Sequence, residues 1–220
     1  WVRHPDGRTI RLTNLKASFI HSPRWSEDGT RIAFLAVMDG RTDVHVIQAD
    51  GSRLSRLTQD GLAKGRVAWA SGDAALFMTR STLNGWRLTK IGPATGRDDA
   101  IPGGEDIAII QRSGDRLFAR RSRSDMIVEA DARTGRVRSL PVPIHVTGLE
   151  SWTPRADGIL HVRSNGARQE LFLTSWTGGT RLLTDVRLPA RVPFTTLPDG
   201  SIILPALVAD EMDLMLMELG

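Results

Sequence analysis

The chain has 220 residues, 40% of them hydrophobic and 25% charged, with a formal net charge of +4 and no cysteine. That length suffices for one sizeable domain, and the missing cysteines exclude disulfides, thiolate catalysis and cysteine-ligated zinc. The longest apolar run, Ile202 to Val208, falls far short of the ~18 residues of a membrane span.

In chain order, residues 1–13 read as the last two strands of a sheet: Trp1 to His4, a turn at Pro5 to Arg8, and an outer strand from Thr9 to Thr13. Residues 14–58 form the first complete unit. Asn14 to Phe19 leads into it, Ile20 to Trp25 is its innermost strand, and Asp28-Gly29, Asp39-Gly40 and Asp50-Gly51 punctuate the rest. Asp-Gly is a strong hairpin signal because both residues tolerate positive φ. The runs between are rich in Val, Ile and Phe and are shorter than the ~10–12 residues of an ordinary helix.

Residues 59–102 repeat this layout with strands expected at 66–69, 74–79, 85–91 and 97–101. Residues 103–141 place them at 106–111, 116–120, 126–130 and 136–140, and residues 142–184 at 147–152, 159–163, 170–175 and 181–184. Residues 185–220 supply three more, at 192–196, 201–207 and 213–218.

Two glycine series carry the repeat. Gly29, Gly72, Gly114, Gly158 and Gly200 follow each innermost strand at intervals of 43, 42, 44 and 42 residues. Gly7, Gly51, Gly96, Gly135 and Gly179 mark the last hairpin of each unit, 44, 45, 39 and 44 residues apart. A period of about 40–45 residues with four strands per unit is the signature of β-propeller blades. Each blade has two apolar faces and buries them against its neighbours. The fold class is therefore all-β, a single propeller domain of about five four-stranded blades. Two architectures fit the ends: a closed five-bladed ring, with Thr9 to Thr13 completing the last blade beside Asp213 to Glu218, or part of a six- or seven-bladed ring. The first residue is Trp1, so the chain reads as a piece or processed product, and the lack of a signal peptide carries no weight.

Pro23-x-Trp25-Ser26-x-Asp28-Gly29-x-x-Ile32-Ala33-Phe34, followed by Asp50-Gly51 and Arg56-Leu57-Thr58, resembles the repeat of TolB-type, WD-like propellers. Trp69-Ala70-Ser71-Gly72-Asp73, Trp152-Thr153-Pro154-x-x-Asp157-Gly158 and Leu197-Pro198-Asp199-Gly200 are degenerate echoes. The run from Pro198 to Glu218 is similar to the last blade of extracytoplasmic propellers carried by membrane-spanning winged-helix transcriptional regulators. The resemblance implies a periplasmic or extracytoplasmic interaction or sensor module. Any membrane contact would run through a segment outside this sequence.

Propellers present function where their innermost strands end. Here those strands and the loops before them offer His21, Lys64, Arg66, Glu105, Asp106, His145, Glu150 and Arg191. A mouth mixing basic, acidic and imidazole groups suits a protein or small-molecule ligand. The histidines, His4, His21, His45, His145 and His161, lack any metal-ligand spacing, so neither a metal nor a cofactor is expected. No Gly-x-Ser-x-Gly elbow and no phosphate-cradling loop before a helix occurs.

Of the 29 basic residues only Lys16, Lys64 and Lys90 are lysines. The densest basic stretch, Arg112, Arg116, Arg120, Arg121 and Arg123, reads as a solvated strand and loop face rather than a nucleic-acid site. Trp25, Trp69 and Trp152 recur at one repeat position and are expected to pack between blades.

The expected function is non-enzymatic. Two alternatives stand beside it. A five-bladed glycoside hydrolase would pair Glu105 or Asp106 with Glu150. The gating propeller of a prolyl-oligopeptidase-type peptidase would share the Trp-Ser-x-Asp-Gly repeat.

Overall fold

The computed structural model describes residues 2–3, 7–146, 151–165, 168–186, 195–196, 201–208 and 211–217. Among them, all regular structure is strand apart from one short 3-10 turn, Ser71–Asp73. A two-stranded sheet of β1 (Val2–Arg3) and β2 (Thr9–Ile10) comes first. Four four-stranded sheets follow, each in simple chain order. The first blade is β3 (Phe19–Trp25), β4 (Arg31–Met38), β5 (Arg41–Gln48) and β6 (Ser55–Arg56). The second is β7 (Lys64–Trp69), β8 (Leu76–Thr82), β9 (Gly85–Ile91) and β10 (Asp98–Glu105). The third is β11 (Ile107–Ser113), β12 (Arg116–Arg121), β13 (Ile127–Asp131) and β14 (Val137–Ser139). The fourth is β15 (Trp152–Pro154), β16 (Gly158–Asn165), β17 (Arg168–Ser175) and β18 (Thr180–Val186). The last sheet has β19 (Thr195–Thr196), β20 (Ile202–Val208) and β21 (Glu211–Met217).

The chain divides into two compact units, Trp1–Ile110 with Ala130–Val137, and Gln111–Glu129 with Arg138–Gly220. The strand Thr9–Thr13, read from sequence as a candidate to close the last blade, is shorter here and pairs with Val2–Arg3. The outer strand of the second blade, Asp98–Glu105, runs four residues past its expected end, with a register shift between Ala100 and Glu105.

In the first unit, local chemistry dictates the blade. Asp39 and Gly40 join β4 to β5 with φ of 50° and 73°, the left-handed pair that a two-residue primed turn demands. The hairpin then runs in unbroken register from Arg31 opposite Gln48 to Met38 opposite Arg41. Its two faces bury different neighbours. Ala33, Leu35, Val44 and Val46 pack against Val67, Trp69, Leu76, Met78 and Ile91 of the second blade. Ile32, Phe34, Ala36 and Ile47 pack against Val2, Leu12, Leu15 and Ala17. Burial on both faces explains why Ile32 to Val37 of β4 is continuously apolar instead of alternating. Each such side chain contributes roughly 1.5–3 kcal/mol.

The same geometry separates the tryptophans. Trp69 and Trp152 are buried as expected, but Trp25 is 50% exposed. Trp69 lies on the face covered by β4 and β5, and its indole N–H donates to the Arg24 carbonyl at 2.9 Å. Trp25 pairs with Ile32 and so lies on the opposite face of its blade, the face whose Ile32, Phe34 and Ala36 pack against Val2, Leu12, Leu15 and Ala17.

The two blades are stapled at their turns. Asp73, with φ of 57°, accepts hydrogen bonds from the backbone N–H groups of Glu27 (2.8 Å) and Asp28 (3.0 Å). Arg31 donates to the Asp73 carbonyl at 3.2 Å while its guanidinium lies over the Trp69 ring. The recurring Ser-x-Asp-Gly turn therefore docks on its counterpart one repeat later. Replacing Asp73 by alanine leaves two donors without their acceptor, and a loss of about 1–3 kcal/mol is expected in urea unfolding. An unchanged midpoint would contradict the staple.

Not every repeat glycine plays one role. Gly29, Gly72 and Gly114 have φ of 68°, 70° and 55°. Gly158 instead opens β16, where a Cβ would lie 2.2 Å from the Thr174 carbonyl oxygen, so it serves close approach. In the last turn of that blade Gly178, not Gly179, takes positive φ.

In the second unit, Leu160, Val162, Leu171, Leu173, Val186 and Ile202 form one core cluster. The arginine-rich stretch is not a uniformly solvated face. Arg120 is buried and pairs with Asp125. Arg116 pairs with Glu129 at 3.1 Å and lies over both the Phe118 and Trp176 rings, at 4.6 and 4.3 Å.

Candidate functional site

Two β-bulges build the site. The register of β3 against β4 shifts between His21 and Arg24. That of β7 against β8 shifts between Lys64 and Val67. A bulge bends its strand and re-aims the side chains beside it. In β3 it leaves Ser22 at φ of 54°. In β7 it includes Gly65, where a Cβ would meet Thr79 Oγ1 at 2.9 Å and the Ala108 carbonyl oxygen at 3.1 Å. With no side chain there, β7 approaches β11 and Arg66 turns toward β3. Arg66 Nη1 then donates to Ser22 Oγ at 2.9 Å, and His21 Nδ1 lies 3.3 Å from the same oxygen.

Pairing fixes which side chains share this face. Phe19, His21 and Arg24 lie opposite Val37, Leu35 and Ala33. Alternate residues of a strand point to one face, and the buried Ala33 and Leu35 pack toward the second blade. The Phe19 and His21 rings stack with centroids 5.1 Å apart, and Phe19 is 61% exposed. Arg24 donates to the Pro23 carbonyl at 2.8 Å. Burial and the like charge of Arg66 together lower the pKa of Arg24.

Of the residues singled out from sequence, His21 and Arg66 meet here. Lys64, two positions from Arg66, does not join them. It is 4% exposed, pairs with Asp60, lies 3.7 Å from Asp43 Oδ1 and donates to the Leu62 carbonyl at 2.9 Å. Asp43 is also held by Arg56 (2.6 Å) and by the Thr58 hydroxyl (2.8 Å). Burial works against the Asp60 carboxylate, yet hydrogen bonds from Lys64 and the Leu62 N–H bring its pKa below the ordinary value. The Arg-Leu-Thr triad of the repeat thus clasps a buried aspartate, and Lys64 completes that clasp.

Glu105 ends the outer strand β10, not an innermost one, and pairs with Arg87 at 3.2 Å. Asp106 lies between β10 and β11 with φ of 59°, its N–H donating to the Trp86 carbonyl at 2.8 Å. His145, in the second unit, is exposed and bridges to Met126. Glu150 and Arg191 lie outside the described residues, and with Glu150 goes one half of the carboxylate pair that a glycosidase would need. Among the described residues no group of three or more His, Asp or Glu side chains is arranged to hold a metal ion. Sequence reading missed Ser22 and Arg24, because only the bulge gives an unremarkable Ser-Pro-Arg this position.

No family model matches the chain. A stretch of 52 residues, 24% of the chain, is 40% identical to the Tol-Pal system protein TolB of Syntrophus aciditrophicus and spans 12% of that protein. Among solved structures, TolB from Acinetobacter baumannii superposes with a TM-score of 0.75 at 18% identity, over 99% of this chain and 56% of that one. This chain therefore spans about half the length of that TolB. Puromycin hydrolase, as the S511A mutant complexed with PGG, gives 0.60 at 17% identity over 92% of this chain and 37% of that one. Oligogalacturonate lyase from Vibrio parahaemolyticus gives 0.54 at 11% identity, over 95% and 78%. The two compact units are thus built from the four-stranded blades of a TolB-like β-propeller fold.

Proposed function

We propose that this chain is a non-enzymatic, TolB-like interaction or ligand-sensing module that works outside the cytoplasm. The observation that carries the reading is the convergence of His21, Ser22, Arg24 and Arg66 from the innermost strands of adjacent blades. The bulges spend regular sheet pairing to gather polar and cationic groups beside an exposed aromatic ring, as binding sites do. The similarity of the 198–218 stretch to regulator propellers extends the reading to a sensor whose occupancy sets the state of a transcriptional regulator. No helix among the described residues is long and apolar enough to cross a membrane, so such a sensor would be tethered by another segment.

A thermal-shift screen of the 220-residue chain against peptides and small metabolites tests this. A genuine ligand at a hundredfold excess over its Kd stabilises by about 2.7 kcal/mol, and this gain should vanish in Arg66→Ala. Hits that stabilise the variant equally would move the site elsewhere. A second reading, a propeller belonging to a peptidase or lyase, is favoured by the fold likeness to puromycin hydrolase and oligogalacturonate lyase. Turnover of peptide or pectic substrates by this chain would select it.

A further inference from the structure

The chemistry of a ligand for this cluster follows from the guanidinium pair. Arg24 is half-buried, and among the described residues no carboxylate pairs with it; its hydrogen bond goes to the adjacent Pro23 carbonyl. Its backbone is pinned by the Trp69 indole, and the neighbouring guanidinium of Arg66 is oriented by Ser22. Arg66 thus bonds a hydroxyl two residues before the half-buried Arg24, and the like charges of the two arginines act on each other. A guanidinium is planar and always charged, and presents its donors as a fork that matches a carboxylate. Partial burial strengthens such a bond relative to one in water.

We propose that the Arg24–Arg66 pair binds a carboxylate, carried by an acidic peptide whose apolar neighbour rests on Phe19. The assignment rests on reading this cluster as the binding site. Phe19 decides between a bare ion and a larger body: it is 61% exposed, stacked on His21, and shares the face of Arg24. An inorganic oxyanion has no use for that ring. An acidic residue beside an apolar one uses both. His21, with Nδ1 at 3.3 Å from Ser22 Oγ, flanks the same position.

The test titrates the 220-residue chain with four probes: a blocked tetrapeptide carrying phenylalanine and two glutamates, its two-glutamine counterpart, glutarate, and inorganic phosphate. Calorimetry gives affinity, and arginine Nε–H and histidine ring resonances report location. The glutamate peptide is expected to bind about tenfold or more tightly than its glutamine counterpart, weakening as salt rises. Arg24→Gln should lose at least that factor and Arg24→Lys should fall between, with circular dichroism confirming that both variants fold. Glutarate binding as well as the peptide would keep the carboxylate and remove the peptide. Phosphate binding in place of the carboxylates overturns the proposal. Equal binding of both peptides at these resonances overturns the carboxylate assignment and leaves the binding site standing. Silence of the resonances to every probe overturns both.

Discussion

Replacing Asp43 by alanine is expected to destabilise the first unit by about 1–3 kcal/mol, the cost of removing the buried acceptor shared by Arg56, Lys64 and Thr58. Asp43 is wholly buried and faces two cations, Arg56 at 2.6 Å and Lys64 at 3.7 Å. The Lys64 side chain is fully enclosed, and in the variant its ammonium still pairs with Asp60. Thr58 would lose the acceptor of its hydroxyl, although its oxygen still accepts from the Val44 N–H at 3.0 Å. In a chain of this size each kcal/mol shifts Tm by about 2–4 °C, so a drop of roughly 5 °C is the expected reading. Lys64→Met should cost far less, because Asp43 keeps Arg56 and Thr58 while Asp60 keeps Arg80 at 3.2 Å. Equal losses in the two variants would mean that the network is not organised around Asp43.

Acidification from neutral pH should weaken the fold well before carboxylates titrate, and His161 should account for much of the loss. Its ring is fully buried on β16, stacked on Phe172, with Nε2 2.9 Å from Thr174 Oγ1 and Nδ1 buried with no partner among the described residues. Burial, aided by the nearby Arg163 charge, lowers its pKa to about 4. The unfolded chain takes up a proton below about pH 6.5 that the folded chain refuses, so stability is full above that value and falls as pH drops toward 4. The slope is about 1.4 kcal/mol per pH unit, reaching about 3 kcal/mol near pH 4. His45, stacked on Phe34, is shifted downward by its own burial and adds in the same direction.

The carboxylates act later. Asp28, held by the Ser26 hydroxyl and by Thr30, sits at about 2, so its contribution disappears only below the ordinary aspartate value. His161→Leu should therefore flatten the chemical-denaturation midpoint between pH 6.5 and 4.5, while Thr174 keeps its Thr180 partner at 2.9 Å. An unaltered slope in that variant would exclude His161 as the titrating group.

His161 also illustrates what a linear reading can reach. It lay within an expected strand, but nothing in Ile-Leu-His-Val distinguishes a buried imidazole from an edge one. Its burial depends on Trp152 and Phe172 arriving from the strands on either side. The repeat was legible because turn chemistry is local: Asp39-Gly40 turns the chain by its own φ preferences, and β9 falls on the expected residues Gly85–Ile91. Trp25 departed from its expected role because equivalent positions are buried only when the neighbouring blade covers them.

Chain order and spacing by themselves determined that this protein is built of four-stranded blades, with Asp-Gly turns, continuous apolar strands and a period near 43 residues, since each depends on residues close in sequence. Only the tertiary structure decided which charges are clasped and which are presented. Lys64 and Arg66 stand two residues apart, yet one is sealed against Asp43 and Asp60 and the other meets Ser22. The physical reason is the bulge between Lys64 and Val67, an irregularity of pairing that sends neighbouring side chains to different partners more than 20 residues away along the chain for Asp43 and Ser22 alike.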